Sequence, residues 1–217
     1  MNLVYYVSAT LSYLAIKTFF RGRHYNPERV PATGPVILAS NHASYIDPPY
    51  VGSALSRETH YLARENLFRN PLMAAYLRKL NVVPVDRDGG GGPGLKAILE
   101  RLKAGNCILL FPEGTRTPDG TIRPAKAGIG LVIIKSECAV VPVRLFGTFE
   151  AYGRHRKFPL PLPTSAKYGF PMEFKEQRAE AATCSKARLK EIYQEVSDRV
   201  MAEIRNLRPC EDITSFP

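Results

Sequence analysis

A chain of 217 residues, 45% of them hydrophobic, carries enough apolar side chain for one sizeable core and too little length for two independent ones. Its 30 Lys and Arg against 20 Asp and Glu leave a formal net charge of +10, which favours anionic partners: nucleic acid, an anionic bilayer surface, or phosphorylated small molecules and coenzymes. The four cysteines, Cys107, Cys138, Cys184 and Cys210, form no Cys-x-x-Cys pair and have no histidine at ligand spacing, which argues against a zinc site or a disulfide framework and suits a reducing compartment.

The first element is an apolar stretch over residues 1–20, interrupted by Asn2, Ser8, Thr10, Ser12 and Lys17 and followed by Arg21 and Arg23. The run before Lys17 falls short of the roughly 20 apolar residues of a spanning helix. Its positive charge follows the apolar run, the reverse of a cleaved signal peptide. A helix lying in or dipping into the membrane interface is expected, with Arg21, Arg23 and His24 against lipid phosphates; the alternative is a helix packed on the core. Residues 1–24 are thus read as a membrane-associating segment and residues 25–217 as the globular domain.

From there one rhythm repeats. Short runs rich in Val, Ile and Leu at residues 36–39, 82–85, 108–111 and 139–145 read as buried strands. Between them, residues 48–55, 71–80, 93–103 and 126–136 carry helical spacing. Asp47 before Pro48 and Asn70 before Pro71 are start signals, and Gly105 stops the third helix. Strands alternating with helices predict an α/β fold with a mostly parallel sheet flanked by helices. A proline-rich stretch at 158–163 leads to an amphipathic tail helix over residues 180–207. The glycine run at 89–92 lacks the Gly-Lys-Ser/Thr ending of a phosphate-cradling loop.

In such sheets ligands bind outside the carboxyl ends of the strands. The first strand is followed by Asn41-His42 and then Asp47, the second by Asp86-Arg87, and the third by Pro112-Glu113-Gly114-Thr115-Arg116. Five residues apart on a straight helix, His42 and Asp47 would point about 140° away from each other. They meet if residues 41–46 curl from strand to helix, and the carboxylate then fixes the imidazole tautomer for a general base. Each residue alone also has a plainer reading, Asp47 as a helix cap and His42 as a locally satisfied side chain. Arg87, Arg116 and Lys126 suit a phosphate-bearing substrate, while Arg87 could equally pair with Asp86 or Asp88.

Asn41-His42 with Asp47, together with Phe111-Pro112-Glu113-Gly114-Thr115-Arg116, resembles the paired signature of the glycerolipid acyltransferases, particularly the bacterial 1-acyl-glycerol-3-phosphate acyltransferases. Val83-Pro84-Val85-Asp86-Arg87 and Val140-Val141-Pro142-Val143 resemble two further blocks, so the likeness runs from about residue 36 to residue 146. The resemblance implies that His42 is the base and Asp47 its partner, with no covalent acyl-enzyme. It implies that Arg87, Glu113, Gly114, Thr115 and Arg116 bind the phosphorylated acceptor, with Lys126 a looser match. The reaction implied moves a fatty acyl group from acyl-CoA or acyl carrier protein to a lysophospholipid, giving phosphatidic acid, at the cytoplasmic face of a membrane and without metal or bound cofactor. Glycerol 3-phosphate or another lysolipid is the alternative acceptor.

Two departures stand out. Asn81 opens the second block where the family usually has glycine, and asparagine tolerates the left-handed conformation such a turn needs. Arg64 occupies a place where lysine is frequent. Among rival readings, a serine lipid hydrolase using Ser40 or Ser44 lacks the Gly-x-Ser-x-Gly elbow. A nucleic-acid-binding module lacks a basic stripe with interleaved aromatics, so nucleic acid is not an expected partner.

Overall fold

The apolar runs become strands of a seven-stranded sheet in the computed structural model, which describes residues 2–85 and 92–210. The strands are β1 (Arg23–Tyr25), β2 (Val36–Ser40), β3 (Thr59–Arg64), β4 (Val82–Val85), β5 (Cys107–Leu110), β6 (Ala139–Phe146) and β7 (Ser165–Tyr168). Their order is β1-β7-β6-β2-β5-β3-β4, and every neighbouring pair is parallel except β6 and β7. The mostly parallel α/β sheet flanked by helices therefore stands as expected.

Period-two alternation sends the side chains of β2 to two separate cores. Val36 and Leu38 pack with Leu109, Val141, Tyr50 and Val51 on one face, under α1 (Leu3–Thr18) and α2 (Asp47–Ser53). Ile37 and Ala39 pack with Ile108, Val140, Ile133 and Ile192 on the other, under α4 (Gly92–Lys103), α5 (Ala127–Lys135) and α8 (Lys186–Asn206). Burial on both faces is why these strands read as unbroken apolar runs. At the crossing of α5 and α8, a Cβ on Gly130 would lie 1.8 Å from the Tyr193 carbonyl oxygen, so only glycine fits.

The remaining helices are α3 (Pro71–Lys79), α6 (Thr148–Tyr152) and α7 (Lys175–Thr183). Asn70 caps α3 by accepting from the backbone N–H groups of Leu72 and Met73. Asn81, after α3, takes φ +58°, the left-handed conformation foreseen for it. The tail expected as one helix is two: α7 ends before Cys184, and Ser185 restarts the chain by accepting the Arg188 N–H.

Three strands, β1, β3 and β7, were not foreseen. The consequence of β3 is topological: it lies between β5 and β4, so β4 is an edge strand and its carboxyl end is not beside those of β2 and β5.

Helix α1 buries Tyr5 and Ile16 and exposes Leu3, Val7, Leu11 and Leu14. Among the described residues no helix is long and apolar enough to cross a membrane. His24 departs from its expected place against lipid phosphates. Its ring lies between Tyr13 and Tyr50, 5.6 and 4.8 Å from their centroids, with Nε2 3.1 Å from the Tyr50 carbonyl oxygen. Burial pushes its pKa down to about 4, so near neutrality the ring is an uncharged part of the packing.

Candidate active site

The connection leaving β2 travels toward β3, whereas the one leaving β5 crosses β2 to reach β6. This reversal opens a crevice outside the carboxyl ends of β2 and β5. The loop after β2 and the turn after β5 both lie there.

His42 and Asp47 meet as the curled loop requires, with His42 Nδ1 2.8 Å from Asp47 Oδ2. The same carboxylate oxygen accepts the backbone N–H groups of Ala43 at 2.6 Å and Ser44 at 2.7 Å. Asp47 is fully buried, and its other oxygen, Oδ1, is also buried with no hydrogen-bond partner among the described residues. The carboxylate thus turns back into the loop; Asp47 is the first residue of α2, and its side chain does not cap it. A carboxylate on Nδ1 keeps the proton there and leaves Nε2 as the basic nitrogen. The imidazole stacks on Phe111, with centroids 3.8 Å apart and planes 12° from parallel.

Asn41 and Glu113 hold this loop. The Asn41 side chain donates to the Leu145 carbonyl at 3.1 Å and accepts the Leu145 N–H at 2.8 Å, fastening the end of β2 to β6. Glu113 Oε1 accepts the backbone N–H of His42 at 2.9 Å, and its Oε2 accepts that of Arg123 at 3.2 Å. In return the Thr117 N–H donates to the His42 carbonyl at 2.9 Å. Burial pushes the Glu113 carboxyl above its usual range, and these two backbone donors only partly offset it. Glu113, expected among the acceptor-binding residues, has both oxygens engaged by main chain where the turn after β5 closes onto the loop after β2.

A cavity of about 610 Å³ opens on the imidazole. His42, Gly114 and Lys126 line it together with apolar side chains that include Leu62, Ile98, Leu109 and Ile129. Gly114 takes φ +72°, and the Lys126 side chain lies across it, so a Cβ there would come within 3.2 Å of Lys126 Cδ. Thr115 is half-buried in the same turn. Arg116 lies outside this lining: its guanidinium rests on the Tyr45 ring, 3.6 Å from the centroid, and its buried Nη1 has no hydrogen-bond partner among the described residues. Arg87 falls outside the described residues. The contacts of Tyr45 with Arg116 and of Phe111 with His42 escaped sequence reasoning, as did the roles of Asn41 and Glu113 as ties. The two rings are ordinary aromatics until the fold sets them under a cation and an imidazole.

Ser44 Oγ donates to the Tyr152 carbonyl at 2.6 Å and Ser40 Oγ to the Asn41 carbonyl at 3.1 Å, and both residues are fully buried. Neither hydroxyl is hydrogen-bonded to His42, so the serine-hydrolase arrangement is not formed. Among the described residues no three His, Cys, Asp or Glu side chains cluster as a metal site.

A family model described as Acyltransferase matches residues 21–145. The 1-acyl-sn-glycerol-3-phosphate acyltransferase of Bacillus subtilis (strain 168) is 32% identical over 124 residues, covering 57% of this chain and 61% of that protein. The chloroplastic 1-acyl-sn-glycerol-3-phosphate acyltransferase LPAT1 of Arabidopsis thaliana is 29% identical over 147 residues, covering 66% of this chain and 41% of that protein. The chain thus matches less than two thirds of the length of either relative. Among solved structures, the 1-acyl-sn-glycerophosphate (LPA) acyltransferase PlsC from Thermotoga maritima is similar, with a TM-score of 0.70 and 25% identity over 93% of this chain and 80% of that one.

Proposed function

We propose, from the premise that this chain belongs to the acyltransferase family, that it transfers a fatty acyl group from a thioester to the hydroxyl of 1-acyl-glycerol-3-phosphate, yielding phosphatidic acid. The observation that carries this reading is the 2.8 Å bond between Asp47 and His42 Nδ1 beside a cavity lined by Lys126 and by apolar side chains. His42 Nε2 takes the proton of the acceptor hydroxyl as its oxygen attacks the thioester carbonyl carbon. The carbon–sulfur bond then breaks, and the departing thiolate takes the proton back from the imidazolium. A positioned base of this kind is worth roughly 10² to 10⁴ in rate, enough for an electrophile that is already activated.

Asp47 fixes the tautomer and offsets the imidazolium charge. Lys126 and Arg116 are the described cations suited to the acceptor phosphate, and Arg87 joins them by its place in the sequence. The cavity walls suit the acyl chain of the donor, whether carried by CoA or by acyl carrier protein, and the chemistry calls for no bound cofactor. The exposed apolar side chains of α1 seat residues 1–24 on the bilayer that supplies the acceptor, with the active site at its cytoplasmic face.

The test is to incubate the purified protein with acyl-CoA or acyl carrier protein and a panel of lysophosphatidic acid, glycerol 3-phosphate and other lysolipids, comparing wild type with His42→Ala. Phosphatidic acid from the wild type alone is the expected result. Full transfer by the variant would remove His42 from the chemistry.

A further inference from the structure

A second cavity, of about 440 Å³, lies between α1, α2 and α3 and does not include His42. Ala9, Pro49, Leu67, Leu77, Leu80 and Val82 give it apolar walls, and Leu62 is common to it and the His42 cavity. We propose that this second cavity receives the hydrocarbon chain of the acceptor, so that the two substrates keep their chains in separate slots; this rests on the acyl-transfer reading above.

Three observations point to a single-chain anionic amphiphile. The cavity wall includes Tyr45, whose ring carries the Arg116 guanidinium 3.6 Å from its centroid. A guanidinium thus rests on a wall residue of an apolar slot, which matches a phosphate headgroup joined to one chain. Ser8, Ser12 and Ser53 add hydroxyl-bearing side chains to the lining, groups that can donate to an ester carbonyl.

Beside the cavity, α3 and the turn before it expose Leu67, Leu72, Met73 and Tyr76, and α1 exposes Leu11 and Leu14. The two helices are tied by Ser8 Oγ and Tyr76 OH, 3.1 Å apart. Arg69, Arg78 and Lys79 are exposed on the same segment, so the entry combines apolar contact with the charge that favours an anionic bilayer. A chain entering here passes from lipid to protein across apolar side chains.

The experiment uses the full chain on anionic vesicles and a lysophosphatidic acid with a diazirine at the chain terminus, the labelled residues being mapped by mass spectrometry. Label is expected on Leu67, Leu77 or Leu80, and is expected to fall in Ala9→Phe and, independently, in Ser12→Phe, each with a wild-type melting temperature. Label on Ile98, Leu109 or Ile129, label confined to exposed α1 residues, or label unchanged by both well-folded variants overturns the proposal. In turnover, the ratio of kcat/KM for an oleoyl acceptor over a hexanoyl acceptor is expected to fall roughly tenfold in these variants, the equivalent of about two methylenes left in water. An unchanged ratio also overturns it. Labelling of the slot by a wild type that forms no phosphatidic acid would defeat the acyl-transfer reading alone, whereas transfer with label elsewhere would defeat the slot alone.

Discussion

Asp47 serves His42 and the loop that carries it through one oxygen: Oδ2 is 2.8 Å from the imidazole Nδ1, 2.6 Å from the Ala43 nitrogen and 2.7 Å from the Ser44 nitrogen. Replacing it therefore disturbs both the ring's electrostatics and the loop's shape. In Asp47→Asn the amide oxygen keeps a neutral acceptor, but the charge that would balance an imidazolium is gone. Initial rates of acyl transfer are expected to drop by about 10² to 10⁴, with stability lowered by about 1–3 kcal/mol. His42→Ala should show the rate loss with a smaller change in denaturant midpoint. Equal rates for Asp47→Asn and wild type would remove the carboxylate from the mechanism.

Glu113 is the second tie, and its ionisation is opposed by burial. A carboxyl whose folded pKa lies above its unfolded value of 4.5 stabilises the fold below that value, and this contribution is lost as pH rises through the folded pKa. Above that range the charged side chain is held in place by the N–H groups of His42 and Arg123. Glu113→Gln should flatten the slope of unfolding free energy against pH above 4.5. It should also lower kcat more than it raises KM for the acceptor, because the tie acts on the position of His42. A pure KM effect would instead make Glu113 a substrate contact.

The sign is opposite for His24. Its folded pKa of about 4 lies below the ordinary 6.5, so its neutral form stabilises the fold above pH 6.5, and that contribution is lost as pH falls toward 4. At ~1.4 kcal/mol per unit, the loss over this window amounts to about 3 kcal/mol. Chemical denaturation of wild type and His24→Phe at pH 7 and pH 5 should show the wild type losing more stability on acidification. Parallel losses would place the acid sensitivity elsewhere.

Seating of α1 on a bilayer makes a prediction separable from catalysis. Leu11 and Leu14 are 62% and 51% exposed, so changing both to Asp disturbs no packed contact of the size made by Tyr5 or Ile16. Cosedimentation with anionic vesicles is expected to fall at least about tenfold, while circular dichroism and melting stay at wild type. Undiminished binding would assign vesicle contact to another surface.

The central half of the fold was legible because β2, β5 and residues 140–143 of β6 are buried on both faces and are almost wholly apolar. The strands that escaped reading take their identity from partners distant in the chain. Lys167, fully buried in β7, bonds through Nζ to the Asn26 side chain and the Cys210 carbonyl, and no local pattern marks a lysine as internal. The same limit applied at the site. Spacing allowed His42 and Asp47 to meet, since both belong to one short loop. That Glu113 spends its carboxylate on the backbone of His42, 71 positions away, follows only from the adjacency of β2 and β5.

The Glu113 tie makes the histidine loop and the glutamate turn a single mechanical part assembled from two stretches of sequence. A chimera carrying the loop from one relative and the turn from another would inherit both motifs intact in its sequence, yet their fit would depend on how far apart β2 and β5 hold them. Mobility should likewise be shared: loosening the turn at Gly114 or Thr117 would be felt first as wandering of an imidazole that neither residue resembles.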